Sequence, residues 1–352
     1  MAIRFPVAFE RAVTRAVTAL PPPLLRRVVG GPRTSPDGLE LDLQLQTLLW
    51  LIDAFKIPPF AGGSVEEARA QMERSAPTLD LRPAGGVAAY DRTLPGASSP
   101  RRARVYTPAG VPSHGAPALV YFHGGGWVVG SIDSHDRLCR ALADRAGVVV
   151  LSFDYRLAPE HPFPAAHDDA VAATRWVLAN AERLGLDPGR VAVGGDSAGG
   201  NLSAVVSLAL RGEGRRPAFQ LLLYPATDCT RSFPSHGMFR DGFFLGARSI
   251  DWYLGHYLPR PEDWRDPRAS PYFAADVARA PAALVLTAGF DPLRDEGKAY
   301  ADRLRDAGVP AEYVCAEGQM HGFLMLGAAL REAEQYVDLA ADRLRRALAR
   351  PS

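Results

Sequence analysis

Lysine is nearly absent from this chain. Lys56 and Lys298 are the only lysines among 40 basic residues, which stand against 39 acidic ones for a formal net charge of +1. The arginines are scattered along helical patterns with no basic tract, so the electrostatic footprint of a nucleic-acid binder is missing and that function class is set aside. Cysteine is scarce as well. Cys139, Cys229 and Cys315 are odd in number, far apart and without C-x-x-C spacing, which argues against a disulfide framework and against a zinc site. No metal or other cofactor is expected, and a reducing, cytoplasmic setting fits best. Apolar runs of about 18 residues, the minimum for a membrane span, do not occur. Arg4, Arg11 and Arg15 interrupt the first 29 residues where a signal peptide would need an unbroken apolar core. Neither G-x-G-x-x-G nor the P-loop lysine pattern is present, which removes the common phosphate-cradling readings.

What remains is the composition of a large soluble enzyme: 352 residues, 47% hydrophobic, with a mean hydropathy of −0.08. That is enough for one α/β domain with an appended lid. From Val87 onward, short apolar runs alternate with longer amphipathic ones, the pattern of a mostly parallel sheet covered by helices on both faces. Strands are expected near 103–107, 117–122, 148–153, 190–194, 219–224, 283–288 and 311–315, and helices near 134–146, 166–184, 198–211, 293–307 and 331–349. Ahead of this core, residues 4–20 read as an amphipathic helix with Phe5, Phe9, Val13 and Val17 on one face, ended by Pro21-Pro22-Pro23. A weak membrane-surface contact through residues 4–20 and a homodimer are both compatible with this pattern. Leu41 to Ile57 and Val65 to Ser75 are further helical patterns, and an aromatic segment between Ala226 and Ala280 breaks the later alternation.

The chemistry centres on Gly195-Asp196-Ser197-Ala198-Gly199. The apolar run Val191-Ala192-Val193 leads into it through Gly194 and an alanine-rich helical pattern follows, so a serine sits on a tight glycine turn between strand and helix. A serine hydroxyl is a poor nucleophile at neutral pH and needs a base, an orienting carboxylate and oxyanion donors. Each is available at the end of a predicted strand. His123-Gly124-Gly125-Gly126-Trp127 follows Ala118-Leu119-Val120-Tyr121-Phe122, Asp291 follows Ala283-Leu284-Val285-Leu286-Thr287, and His321 follows Tyr313-Val314-Cys315. The order Ser197, Asp291, His321 is that of the α/β-hydrolases. Asp295 and Glu296 compete with Asp291 as helix-start acids, but Asp291 lies nearest the strand end. Glycine is required in the 124–126 loop because a side chain would obstruct the substrate. The oxyanion donors are expected to be the N–H groups of Gly124, Gly125 and Ala198.

Four segments together resemble the bacterial hormone-sensitive-lipase family of carboxylesterases: the HGGGW loop, the run Tyr155-Arg156-Leu157-Ala158-Pro159-Glu160 with Pro162-Phe163-Pro164-Ala165 behind it, the GDSAGGN elbow through Asn201, and the pair Asp291-Pro292-Leu293-Arg294-Asp295-Glu296-Gly297 and His321-Gly322-Phe323. The resemblance covers roughly residues 85 to 350, and the amino end is longer than the family needs. It implies an α/β-hydrolase fold, a catalytic domain over residues 87–352 and an N-terminal helical region over 1–86 that contributes to a cap, with a second cap segment near 229–270. It also implies structural roles for His123 and Asp196. The implied activity is that of a serine carboxylesterase acting on small-molecule, short- to medium-chain acyl esters through an acyl-enzyme. Trp127, Phe243, Phe244 and Trp252 are the expected pocket walls. An amidase or deacetylase on the same triad stays open, as does a non-catalytic small-molecule receptor on a hydrolase scaffold, although plant receptors resembling the family lack the histidine that His321 supplies here.

Overall fold

The computed structural model describes residues 7–57, 61–79, 81 and 84–350. Helices α1 (Val7–Thr18), α2 (Pro22–Val29), α3 (Leu43–Ala54) and α4 (Val65–Leu79) precede strands β1 (Val87–Pro95), β2 (Pro100–Pro108) and β3 (Ala116–Phe122). Then come α5 (Asp136–Ala146), β4 (Val149–Phe153), α6 (Ala165–Ala179), β5 (Leu186–Asp196), α7 (Ala198–Leu210), β6 (Phe219–Leu223), α8 (Pro234–Met238) and α9 (Ala247–Tyr257). The chain closes with β7 (Ala282–Phe290), α10 (Arg294–Asp306), β8 (Ala311–Met320) and α11 (Arg331–Ala347).

The strands form one eight-stranded sheet in the order β1-β2-β4-β3-β5-β6-β7-β8. β1, β2 and β4 pair antiparallel, and every pairing from β4 through β3 to β8 is parallel. Parallel strands are covered on both faces, which is why β4 and β6 are buried at every position. Side chains alternate between the two faces. Leu119, Tyr121, Leu221, Leu223 and Leu286 pack with Leu138 and Leu142 of α5 and Val337 and Leu344 of α11. Val120, Phe122, Leu151, Val191 and Val193 pack against Ala170 and Val177 of α6 and Leu202 and Val206 of α7.

β1 is the strand that periodicity missed. It is an edge strand, with only Val87 and Leu94 buried, so it carries no apolar alternation to detect. The proline triplet also behaves differently from expectation. α1 has already ended at Thr18, and Pro22 opens α2, where its preset φ suits a helix start and its missing N–H costs nothing. The helical expectation over residues 4–20 is met from Val7 to Thr18, while residues 4–6 lie outside the described residues. Among the described residues no helix is long and apolar enough to cross a membrane.

The N-terminal helices are fastened to the sheet domain. Leu45 and Leu48 of α3 join the core beside Phe323 and Leu324. From α4, the Arg69 guanidinium meets both carboxylate oxygens of Glu160 at 2.7 Å and the carbonyls of Val128 at 2.9 Å and Ala158 at 3.0 Å. The Arg69 contact holds Glu160 at about 2, well below the usual carboxylate range.

Candidate active site

Ser197 sits between the end of β5 and the first residue of α7 with φ 55° and ψ −118°. This left-handed conformation costs a non-glycine residue of order 1–3 kcal/mol and persists only where the surroundings enforce it. The enforcement is visible. The Ser197 N–H donates to the Leu223 carbonyl of β6 at 2.8 Å, and its own carbonyl accepts from Asn201 at 3.0 Å and Ala226 at 3.3 Å. Gly195 and Gly199 pass so close to the Phe122 carbonyl that a Cβ on either would overlap it. Glycine at those two positions is what lets the elbow press against the end of β3.

His321 Nε2 lies 2.9 Å from Ser197 Oγ, and His321 Nδ1 lies 2.8 Å from Asp291 Oδ2. Asp291 is fully buried, and its other oxygen accepts the Leu293 N–H at 2.9 Å. The edge of the Tyr224 ring packs on His321, centroids 5.0 Å apart. The competing acids are occupied elsewhere. Asp295 accepts from Arg294 and from the Ser235 N–H. Glu296 holds the N–H groups of Thr227 and Asp228 and faces His236 Nε2 at 2.7 Å. The three residues expected from strand ends are thus brought into one hydrogen-bonded relay.

The glycine loop departs from expectation at Gly124. The Gly124 N–H points into the protein, 2.9 Å from Asp196 Oδ1 and 3.3 Å from His135 Nε2, while Gly125 and Gly126, together with Ala198, border the cavity that contains Ser197. Gly124 is therefore removed from the expected set of oxyanion donors. Its neighbour His123 is entirely buried in the protein. Burial, together with the adjacent His135 ring, pushes His123 down to about 4. The uncharged ring stacks on Tyr155 with centroids 4.4 Å apart, and Nδ1 donates to the Gly124 carbonyl at 2.8 Å.

Residues 119–325 match the family described as the alpha/beta hydrolase fold. The chain belongs to the α/β-hydrolase family. It is 43% identical over 315 residues to the carboxylic ester hydrolase LipN of Mycobacterium tuberculosis, covering 87% of this chain and 83% of that one. It is 37% identical over 320 residues to the ethyl acetate hydrolase of Pseudomonas putida, covering 88% and 100%. Among solved structures, an ester hydrolase from the Lake Arreo metagenome superposes with a TM-score of 0.84 at 42% identity, covering 87% of this chain and 98% of its own. The hormone-sensitive-lipase resemblance read from the motifs is borne out by these relatives.

In this α/β-hydrolase the cavity beside Ser197 measures about 160 Å³. Trp127 and Phe244 line it as expected; Phe243 and Trp252 do not. Phe243 turns the other way and packs on Phe239 and Phe290, centroids 5.5 and 5.4 Å away, with the Arg33 guanidinium over its ring. On α9, Ile250, Tyr253 and Leu254 share one face at helical spacing and it is this face that meets the cavity. Trp252 falls off that face, and its indole N–H donates to the Gly63 carbonyl at 3.2 Å. Tyr253, which no motif singles out, lies against Gly126 so closely that a Cβ there would collide with its ring. From the N-terminal side, Met72, Ser75 and Ala76 of α4 complete the wall. Among the described residues no cluster of His, Cys, Asp and Glu could hold a metal ion.

Proposed function

We propose that this α/β-hydrolase is a serine carboxylesterase for short- to medium-chain acyl esters, with Ser197 as nucleophile, His321 as general base and then acid, and Asp291 as the carboxylate that orients His321. The observation that carries this reading is the continuous relay from Ser197 Oγ through the two nitrogens of His321 to buried Asp291. In the resting relay His321 Nδ1–H donates to Asp291, which leaves Nε2 as the acceptor for the serine proton. Ser197 attacks the ester carbonyl, His321 takes its proton and passes it to the departing alcohol, and water repeats the sequence on the acyl-enzyme.

The oxyanion donors assigned here are the N–H groups of Gly125, Gly126 and Ala198. Across a trans peptide the C=O and N–H point in opposite directions. The Gly124 carbonyl is held by His123 Nδ1 and the Gly125 carbonyl by the N–H groups of Val128 and Val129 at 3.1 and 3.0 Å. The N–H groups of Gly125 and Gly126 therefore face away from those anchors, and both residues border the cavity of Ser197. We assign residues 229–270, and the N-terminal region through α4, to a cap over the site, since both contribute cavity wall. A mostly apolar, lidded cavity of this size supports acyl chains of limited length, each buried methylene contributing about 0.8 kcal/mol until the wall is reached. A series of p-nitrophenyl esters from acetate to palmitate, with Ser197→Ala as blank, tests the reading. An optimum near four to eight carbons is expected, and steadily rising kcat/KM toward long-chain emulsified esters would refute the closed cavity.

A further inference from the structure

We propose that Asp196 is a positioning residue for the oxyanion donors, fastening the glycine loop to the same strand end that carries the nucleophile. This inference rests on the esterase reading above. Asp196 is the last residue of β5, immediately before Ser197, and is almost fully buried. One of its oxygens accepts both the Tyr121 hydroxyl at 2.6 Å and the Gly124 N–H at 2.9 Å; the other lies 3.4 Å from His135 Nε2. Burial by itself would raise this carboxyl, but the His135 ring and the Tyr121 hydroxyl outweigh it and hold Asp196 below the ordinary carboxylate range. The Gly124 bond is therefore charge-assisted, and such bonds are roughly twice as strong as neutral ones. The contact is also close-packed: a Cβ on Gly124 would stand 2.9 Å from the Asp196 carbonyl oxygen and 3.0 Å from its Cγ.

Three consecutive glycines have more conformational freedom than any other tripeptide, and a donor that wanders contributes little to a transition state. The peptide planes of this loop are each pinned. The His123 carbonyl accepts the Tyr155 hydroxyl at 2.8 Å while the Gly124 N–H is held by Asp196, and the next two planes are pinned through the carbonyls of Gly124 and Gly125. Of these anchors, Asp196 is the one covalently adjacent to Ser197. It makes the distance between nucleophile and oxyanion donors a property of one short piece of backbone. A residue with this role acts on the tetrahedral oxyanion and leaves ground-state binding nearly untouched.

The test compares Asp196→Asn, which keeps shape and one acceptor oxygen, with Asp196→Ala, using a p-nitrophenyl butyrate assay and inhibition by an alkyl trifluoromethyl ketone whose hemiketal carries the oxyanion. Asp196→Asn is expected to lower kcat about tenfold with KM within twofold, and Asp196→Ala to lower it about 10²–10³-fold, the scale of losing one oxyanion donor. In each variant the trifluoromethyl ketone Ki should rise by the same factor as kcat/KM falls. Because Asp196→Ala opens a buried site, thermal unfolding is followed in parallel, and the isosteric asparagine carries the decision if the alanine variant does not fold. A kcat in Asp196→Asn within twofold of the parent, a loss expressed in KM, or a loss not mirrored in Ki would each overturn the proposal. Failure of the parent to turn over any ester, or of Ser197 to react with a fluorophosphonate, would instead overturn the esterase reading itself.

Discussion

Replacing Asp291 by asparagine tests the relay at its least accessible member. In the native arrangement one oxygen of Asp291 accepts the Leu293 N–H at 2.9 Å and the other faces His321 Nδ1 at 2.8 Å. An asparagine that keeps its carbonyl on Leu293 must direct its NH₂ at His321 Nδ1. Two donors cannot share that contact, so His321 switches to the tautomer with its proton on Nε2, aimed at Ser197 Oγ. The base is then lost although every atom keeps its place. The flipped amide fares no better, since it sets its NH₂ against the Leu293 N–H inside a fully buried site, at a cost of about 1–3 kcal/mol. The same substitution in a triad of this connectivity lowers kcat by about 10⁴, equivalent to about 5.5 kcal/mol of activation free energy at about 1.36 kcal/mol per factor of ten. Spectrophotometric hydrolysis of p-nitrophenyl butyrate, with thermal unfolding to check integrity, measures it. A folded Asp291→Asn enzyme within tenfold of the parent, or an Asp295→Asn enzyme as crippled as expected for Asp291→Asn, would refute the assignment.

A fluorophosphonate should label one residue, Ser197, as read by peptide mass spectrometry, and Ser197→Ala should abolish both labelling and turnover. Phe244→Ala and Tyr253→Ala should move the acyl-chain optimum upward, whereas Phe243→Ala and Trp252→Ala should leave it in place and lower the unfolding temperature. Acid should weaken the fold through His123. Its folded value of about 4 lies below the ordinary 6.5, so the unfolded chain binds the extra proton between those values, and the stability His123 contributes is complete above about pH 6.5 and is lost as pH falls toward 4. Urea midpoints across that window should show this slope, and it should shrink in His123→Asn.

Much of the site was legible because its chemistry is written in strand ends. Ser197 and Asp291 each follow a strand whose closing residues are buried and read as an apolar run, whereas His321 follows the half-exposed edge strand β8, where the short run Tyr313-Val314-Cys315 is the legible part. Side-chain type and chain order were then enough to name the relay. The oxyanion donors proposed above stand one position along from those expected because sequence reports that a loop is all glycine but not which way its peptide planes face; that depends on His123, Asp196 and Val128 gripping particular carbonyls and N–H groups. Of the four expected walls only Trp127 and Phe244 border the cavity, for a similar reason. An aromatic-rich stretch says that rings are available, while the register of α9 decides that Tyr253 and not Trp252 turns inward. β1 was missed because an edge strand with exposed side chains has no period to read, and α2 because a proline triplet marks a helix start as readily as a stop.

The contact between the Tyr253 ring and Gly126 constrains the order in which this enzyme can change. Any side chain at Gly126 meets that ring and must also adopt a φ of +59°, so a substitution there carries both a collision and backbone strain while Tyr253 is present, and the strain alone once position 253 has shrunk. The reverse order is open, since trimming Tyr253 merely enlarges the cavity. Two sites far apart in the chain are thus epistatic with a fixed sequence of steps. A library that varies Gly126 alone will report it as immutable, whereas one that varies position 253 first removes the ring that a side chain there would meet.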